Sequence, residues 1–183
     1  IGLEVMESLR EAGKNVTLVE GSDQILAPMD YDLVQILNKE IHDKGVELLY
    51  NEKLAEVSDG KVILESGKEV KAGAVVLAIG VVPEAGLAKD AGLDFGETGG
   101  ILVNHHYQTS DPDIYAVGDV IEVTHFITNK KVRLTLAGPA QRQARAVADH
   151  LYGRTYRNTG VIGSSVVKIF DYTAASTGLN EKD

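Results

Sequence analysis

The sequence predicts an α/β protein, and three observations carry that prediction. Over residues 1–50 an amphipathic helix, a short β-branched strand, a second amphipathic helix and another strand follow one another. Three short alternating runs then come between turn signals, which is the pattern of an antiparallel meander. A continuous apolar segment, "AVVLAIG" at 74–80, has the character of a strand buried on both faces.

Each element has a local reason. Ile1, Val5, Leu9 and Ala12 recur at helical spacing and are expected to face inward, with Gly13 as the stop. "NVTLVEG" at 15–21 supplies the first strand. In "DYDLVQILNKEIHDKG" at 30–45, Leu33, Ile36, Leu37 and Ile41 are the expected inward face, Asp30 the N-cap and Gly45 the stop. "VELLY" is the next strand. The meander follows as "KLAEV", "KVILE" and "EVKA", separated by Ser58-Asp59-Gly60 and Ser66-Gly67. Beyond Pro83 the sequence predicts a short helix in "EAGLAKDAGL" and strands in "GILVN", "IYAVGD" and "VRLTL". "EVTHFITNKKVRL" reads as a hairpin turning at Asn129-Lys130, and a longer helix runs from about Pro139, at its N1 position, to Leu151. Two last strands lie in "SSVVKIFDYTAASTGLNEKD", a pair that would be marginal alone in water. No capping residue precedes the first helix and no third strand follows the last pair. The sequence is therefore expected to be an internal segment of a longer protein.

Composition narrows the function classes. The 183 residues are 44% hydrophobic and 25% charged, ordinary values for a globular protein. A net charge of −9 argues against nucleic acid or an anionic membrane surface as partner, because both need clustered Lys and Arg. No apolar run is long enough to suggest a membrane span, and the opening residues lack the basic and small-residue marks of a signal peptide. The absence of cysteine excludes disulfides, thiolate metal sites and a cysteine nucleophile within these residues. His105-His106 is expected to be a surface pair facing opposite ways along a strand, and no metal site is expected.

Strand, helix and strand with an acid closing the second strand is the logic of a dinucleotide site. A glycine loop lets backbone N–H groups and the helix dipole meet a pyrophosphate, and the acid accepts hydrogen bonds from ribose hydroxyls about 20 residues on. Gly2 fits the last glycine of such a loop, and Glu20 lies 18 residues later. The same two residues also fit a packing glycine and a solvated edge charge. A second acid, Asp119, follows Gly118 at the end of "TSDPDIYAVGDV", where open α/β sheets place ligands.

Five segments occur in order: "IGLE" at 1–4, "VTLVE" at 16–20, "VVLAIGVVPE" at 75–84, "TSDPDIYAVGDV" at 109–120 and "LTLAGPAQRQAR" at 134–145. Together they resemble the pyridine nucleotide-disulfide oxidoreductases, flavoproteins of the glutathione-reductase type. Ala78–Glu84 and Val167–Gly178 are similar to the patterns "AIGVxPE" and "VKxFDxxxxxTG" of the CoA-disulfide reductase and NADH oxidase branch. The resemblance implies a Rossmann-like NAD(H)-binding domain with an antiparallel meander at 1–79, lacking its first strand. It further implies the returning part of an FAD-binding domain at 80–154 and the start of a C-terminal interface domain at 155–183. Hydride would pass from NADH to FAD and then to a cysteine outside this segment. The segment itself would hold no catalytic residue and would be inactive alone. A small-molecule disulfide, a persulfide or dioxygen would be the final acceptor, in a cytoplasmic homodimer. The alternatives are a non-catalytic nucleotide-binding module and a ferredoxin-reductase-type flavoprotein, which "KIFDYTAASTGL" disfavours.

The resemblance also assigns roles. Glu4 would approach the nicotinamide carboxamide with Ile1 beside the ring, although a first-turn acid favoured by the helix dipole would look the same. Glu20 would hold the adenosine ribose and repel a 2′-phosphate. "GSDQ" after it supplies no cation, so NADPH is the less favoured cofactor. Gly80 would let backbone approach the cofactor closely, or would simply make a turn. Asp119, beside Gly118, would accept a hydrogen bond from the ribityl chain of FAD. Backbone at Ala137, near the amino end of the following helix, would donate to the pyrimidine side of the flavin. The family often has glycine where Ala144 stands.

Overall fold

The computed structural model describes residues 1–154, 156 and 160–182. Helix α1 (Gly2–Glu11) ends where Gly13 takes a left-handed conformation. Strand β1 (Thr17–Val19), helix α2 (Tyr31–Asp43) and strand β2 (Glu47–Leu49) follow. β1 and β2 pair in parallel, with Thr17 opposite Glu47 and Val19 opposite Leu49. A crossover such as the one containing α2 is what parallel pairing requires. Strands β3 (Leu54–Ser58), β4 (Lys61–Leu64) and β5 (Glu69–Lys71) form the expected antiparallel meander in sequence order. Next come α3 (Gly86–Asp90), a 3-10 turn at Gly118–Val120, β6 (Val123–Thr124), β7 (Lys131–Val132), α4 (Ala137–Leu151), β8 (Ser165–Ile169) and β9 (Tyr172–Ser176).

The chain divides into two compact units, residues 1–80 with 164–183, and residues 81–163. The core of the first gathers Met6 of α1, Ile25, Val34, Leu37 and Ile41 of α2, and Val46, together with Ile169, Phe170 and Ala174 of the last hairpin. Two inward faces differ from those the sequence predicts. On α1 it is Met6 that is buried, with Leu3 packed beside the core, while Ile1 is 84% exposed and Leu9 and Ala12 also face out. Arg10 sets that rotation: its Nε donates to the Lys44 carbonyl at 2.6 Å, turning the end of α1 toward the end of α2. On α2 the buried stripe is Val34, Leu37 and Ile41, and Leu33 and Ile36 are exposed. Both helices carry more apolar residues than one face can hold, so spacing alone leaves the rotation open by about one position. Asp30 is the N-cap of α2 by position, but its Oδ1 accepts from the Glu181 N–H at 3.0 Å instead of capping the helix.

The hairpin β8–β9 gains from this core the burial that two strands cannot supply alone. It turns on Phe170-Asp171, with Ile169 paired to Tyr172. Phe170 points into the core despite its positive φ of 50°, and Asp171 Oδ2 meets Lys44 Nζ at 2.8 Å. Burying Ile169 and Phe170 contributes roughly 1.5–3 kcal/mol each, which outweighs the weak pairing energy of a lone hairpin.

Regular strands are scarcer than the sequence predicts. Residues 74–80 form no strand, and Val76, Leu77 and Ile79 lie exposed, Ile79 at 86%. Among the described residues no neighbouring strand pairs with them, and an apolar run becomes a buried strand only between partners. "GILVN" and "IYAVGD" likewise reduce to isolated bridges, Ile101 to Phe95 and to Ile121, and Tyr115 to Gln108. Of "VRLTL" only Val132 is in a strand, β7, which starts one residue earlier at Lys131; it pairs with β6 in the expected hairpin, and Asn129 takes the left-handed turn position. The core of this second unit is Ile101, Tyr107, Ile121 and Ala146. Burial pushes the Tyr107 phenol up to about 12, so it remains a neutral core group across ordinary pH.

Among the described residues no helix is long and apolar enough to cross a membrane.

Candidate functional site

The first unit carries the candidate dinucleotide residues. Helix α1 starts at Gly2, and a Cβ there would stand 3.2 Å from that of Ala78, so the glycine admits residues 77–79 beside the first turn. Ile1 occupies the N-cap position without a side-chain cap, leaving the first-turn N–H groups without a side-chain acceptor. Glu4 lies on the exposed side of that turn. Gly80 takes φ of 96°, and apart from its chain neighbours no described residue lies within 4 Å of a Cβ built on it, so the backbone conformation alone calls for glycine.

Glu20 follows β1 directly. Its backbone N–H donates to the Leu49 carbonyl at 2.8 Å, extending the β1–β2 pairing, and its Oε1 accepts from the Ser22 N–H at 2.9 Å. One carboxylate oxygen is thereby fixed and the other remains to accept. The charge is felt nearby: Tyr50 titrates above its ordinary range, first through burial and then through Glu20. Loop residues 51–53 cross this turn, with the Asn51 N–H on the Ser22 carbonyl and the Glu52 N–H on the Glu20 carbonyl. They lay Lys53 over Gly21, its Cγ and Cε each 3.5 Å from where a Cβ would stand. The sequence gives no sign of this cation, because it lies 33 residues beyond Glu20 and reaches it only through the β1–β2 pairing.

The second unit carries the other candidates. Gly118 and Asp119 lie in a 3-10 turn entered from extended backbone at Val117, not at the end of a regular strand. Gly118 adopts φ of 83°, a conformation that a side chain would strain. The Asp119 carboxylate is half-buried and has no hydrogen-bond or ion-pair partner among the described residues. Helix α4 begins at Ala137, two residues before the expected start, so Pro139 is its third residue. The missing N–H still costs nothing there, since the first four N–H groups of a helix lack intrahelical partners. The N-cap is Leu136, again without a side-chain cap, so Ala137 opens a turn whose donors no side chain occupies. Gly118 sits against α4, a Cβ on it falling 3.7 Å from that of Ala140. Gly118, Asp119 and the first turns of α4 are thus brought together in one unit.

Two buried polar side chains in this unit escaped the sequence reasoning. Glu122 places its Oε2 3.0 Å from the Thr98 N–H and 2.8 Å from the Thr98 hydroxyl. Gly96 and Gly100 make room for it: a Cβ on Gly96 would collide with the Glu122 carboxylate, and one on Gly100 would stand 2.5 Å from the Glu122 backbone nitrogen. Gln143 of α4 is only 5% exposed, and its Oε1 accepts the Gly118 N–H at 2.6 Å. A signal for Gln143 exists, since it falls in helical phase with Ala140, Ala146, Val147 and His150. Glu122 has none, being one acid among many. A cleft of about 290 Å³ is lined by Tyr107, Glu122, Arg142 and Gln143 among others, but not by Asp119 or Ala137.

The histidines also differ from expectation. His105 and His106 occupy the centre of a turn closed by the Tyr107 N–H on the Asn104 carbonyl, and Asn104 Oδ1 accepts from the His106 N–H. Their ring centroids are 3.9 Å apart instead of on opposite faces, and His106 stacks on His150 of α4 at 4.1 Å. Asparagine at the head of a turn overrides strand alternation. No cluster of three or more metal-ligating side chains suited to a metal ion occurs among the described residues.

A parallel pair crossed by α2, a meander and two uncapped helix starts beside acids point to one class of nucleotide-handling fold, and comparison with known proteins makes it specific. The family profile of the pyridine nucleotide-disulphide oxidoreductases matches residues 1–144, and the chain belongs to that family. It is 34% identical over 192 residues to a protein of Pyrococcus furiosus named NAD(P)H sulfur oxidoreductase (CoA-dependent), covering all of this chain and 42% of that one. Identity to the coenzyme A disulfide reductase of Staphylococcus epidermidis is 34% over 184 residues, again 100% of this chain and 42% of the relative. Among solved structures, that of reduced Bacillus anthracis CoADR-RHD superposes with a TM-score of 0.94 at 44% identity, covering 98% of this chain and 33% of that chain. The chain therefore spans well under half the length of the proteins it matches.

Proposed function

We propose that this chain supplies the NAD(H) site and part of the FAD site of an FAD-dependent NAD(P)H:disulfide oxidoreductase, with CoA disulfide or a CoA persulfide as the acceptor class. FAD, when bound, would carry the electron pair of NADH, through a cysteine that these residues lack, to the acceptor; with one further proton from solvent a CoA disulfide would leave as two thiols, and a CoA persulfide as CoA thiol and hydrogen sulfide. Within that reaction residues 1–79 act as the dinucleotide domain, 80–154 as the returning half of the flavin domain, and 155–183 as the opening of an interface domain in a homodimer. Thr155, Arg157–Thr159 and Asp183 in the last of these spans lie outside the described residues.

The observation that carries this reading is the pairing of Asp119 with the amino end of α4. A carboxylate without a protein partner, set on a Gly118 turn and packed on a helix whose first N–H groups no side chain caps, fits a ligand bearing both hydroxyls and an electron-rich ring edge. Asp119 accepts from a ribityl hydroxyl. The backbone at Ala137 donates to the pyrimidine edge, and the positive end of α4 favours negative charge there. On the dinucleotide side Glu20, one oxygen held by Ser22, offers the other to the ribose, while Ile1, Glu4 and Gly80 border the nicotinamide end. Glu20 opposes a 2′-phosphate by charge. Lys53 beside Gly21 offsets part of that opposition, so the preference for NADH over NADPH is modest.

Titration of the full-length apoprotein with FAD tests the reading. Asp119→Ala removes a charged acceptor, worth roughly 1.5–3 kcal/mol, and should weaken flavin binding about ten- to a hundred-fold. The 183 residues alone should bind FAD poorly even with Asp119 present. Unchanged affinity in the variant, or tight stoichiometric binding by the 183 residues alone, would overturn the assignment.

A further inference from the structure

We propose that Gln143 is a positioning residue for the flavin, coupling the Asp119 turn to the amino end of α4; the inference rests on the flavin assignment above. Asp119 and Ala137 belong to different elements, 18 residues apart in sequence. Both must meet one rigid ligand, so something has to fix their relative position. The 3-10 turn at Gly118–Val120 cannot do this by itself, being three residues long and entered from extended backbone.

Gln143 supplies the connection. Ala137, Ala140 and Gln143 fall at three-residue spacing along α4, on neighbouring positions of one face. A straight helix carries that face about 9 Å from its first turn to Gln143. Midway, Ala140 lies against Gly118. At its far end the Gln143 carboxamide oxygen receives the Gly118 N–H at 2.6 Å, with the side chain 5% exposed. Gly118 is held from the side by packing and along the backbone by one half-buried hydrogen bond, and Asp119 is the next residue. An amide suits this position because it accepts the N–H without adding a second negative charge beside Asp119. Leucine of similar size would keep the packing but leave the Gly118 N–H unsatisfied, freeing the turn to rotate about its glycine.

A double-mutant cycle on the full-length flavoprotein distinguishes positioning from mere stabilisation, with the FAD Kd read by fluorescence titration of the apoprotein. Gln143→Leu should weaken FAD binding about five- to ten-fold when Asp119 is present. In the Asp119→Ala background the same change should weaken it less than about two-fold, because the group it places is already gone. Equal losses in the two backgrounds, or no loss in either, would overturn the role of Gln143. Asp119→Ala that binds FAD as tightly as the wild type would instead remove the flavin assignment, and this inference with it. Should the leucine variant fail to fold, Gln143→Asn, which keeps the polar head but withdraws it by one methylene, carries the same cycle with the same non-additivity expected.

Discussion

Residues 1–80 with 164–182 are held by apolar side chains that recur in phase on two helices and close over a hairpin, whereas residues 81–163 are held by single bridges, tight glycine turns and buried polar anchors. The first arrangement tolerates shifts of a side chain but not loss of volume. The second has a smaller buried apolar core and depends in addition on backbone segments that approach too closely for any side chain. The candidate dinucleotide residues hang on the first kind of support and the candidate flavin residues on the second. Damage to the two should therefore look different, and this can be tested from the largest effect downward.

Ile41→Ala should be the most costly change. Ile41 is fully buried in the first core, and deletion of such a side chain costs about 3–4 kcal/mol through lost burial and the cavity left behind. Urea denaturation gives the size. Hydrogen exchange gives the place, with amides in 1–80 and 164–182 losing protection and those of 81–163 keeping it. Uniform loss across both units would erase the distinction drawn here.

In the second unit an added methyl should do what a lost one does in the first. Gly100→Ala places a Cβ 2.5 Å from the Glu122 nitrogen and 2.7 Å from the Ile121 carbonyl carbon, atoms of backbone that cannot rotate aside. The expected cost is roughly 2–3 kcal/mol, with protection lost around 95–123. Gly73→Ala is the control, since apart from its chain neighbours no described residue lies within 4 Å of its Cβ position, and it should be neutral or slightly stabilising.

The same contrast explains how much was legible in the sequence. Helices α1 and α2, the meander and the last hairpin follow from periodicity and turn residues, which act locally. Residues 74–80 carry an equally strong strand pattern, yet no pairing partner occurs among the described residues, and a strand is a property of its pair. Glu20, Gly118 and Asp119 could be picked out because a glycine or an acid after an apolar run is unusual. Lys53 and Glu122 could not, and for Gln143 helical phase signals only its burial, because each acquires its role from a contact 24 or more residues away in sequence. A buried carboxylate and a solvated one are spelled alike.

Glu122→Gln sharpens the account of the second unit with a smaller effect. The shape is preserved while two charge-assisted hydrogen bonds from Thr98 become neutral ones of about half the strength. A loss of about 1 kcal/mol is expected. A neutral result would mean that the glycine turn, and not the carboxylate, holds residues 96–100 in place.

Proton uptake should separate the two units most gently. His106 titrates below its ordinary value of 6.5, first because of partial burial and then because His105 and His150 would repel a second charge. Its folded form prefers the neutral ring, so the associated stability is present above the unfolded value and is lost as pH falls through the depressed folded one. In the first unit the titrating groups are acids instead. Lys39 holds Asp43, and Lys44 holds Asp171, below the ordinary value of 3.8, so that contribution persists until pH falls beneath that value. Loss of exchange protection in 81–163 as pH falls below the ordinary histidine value of 6.5 should therefore precede any change in 1–80 and 164–182, which is expected only below 3.8. His106→Asn should abolish the early step, since asparagine can keep the turn position but takes up no proton. If the step survives that substitution, the stacked histidines are not its source.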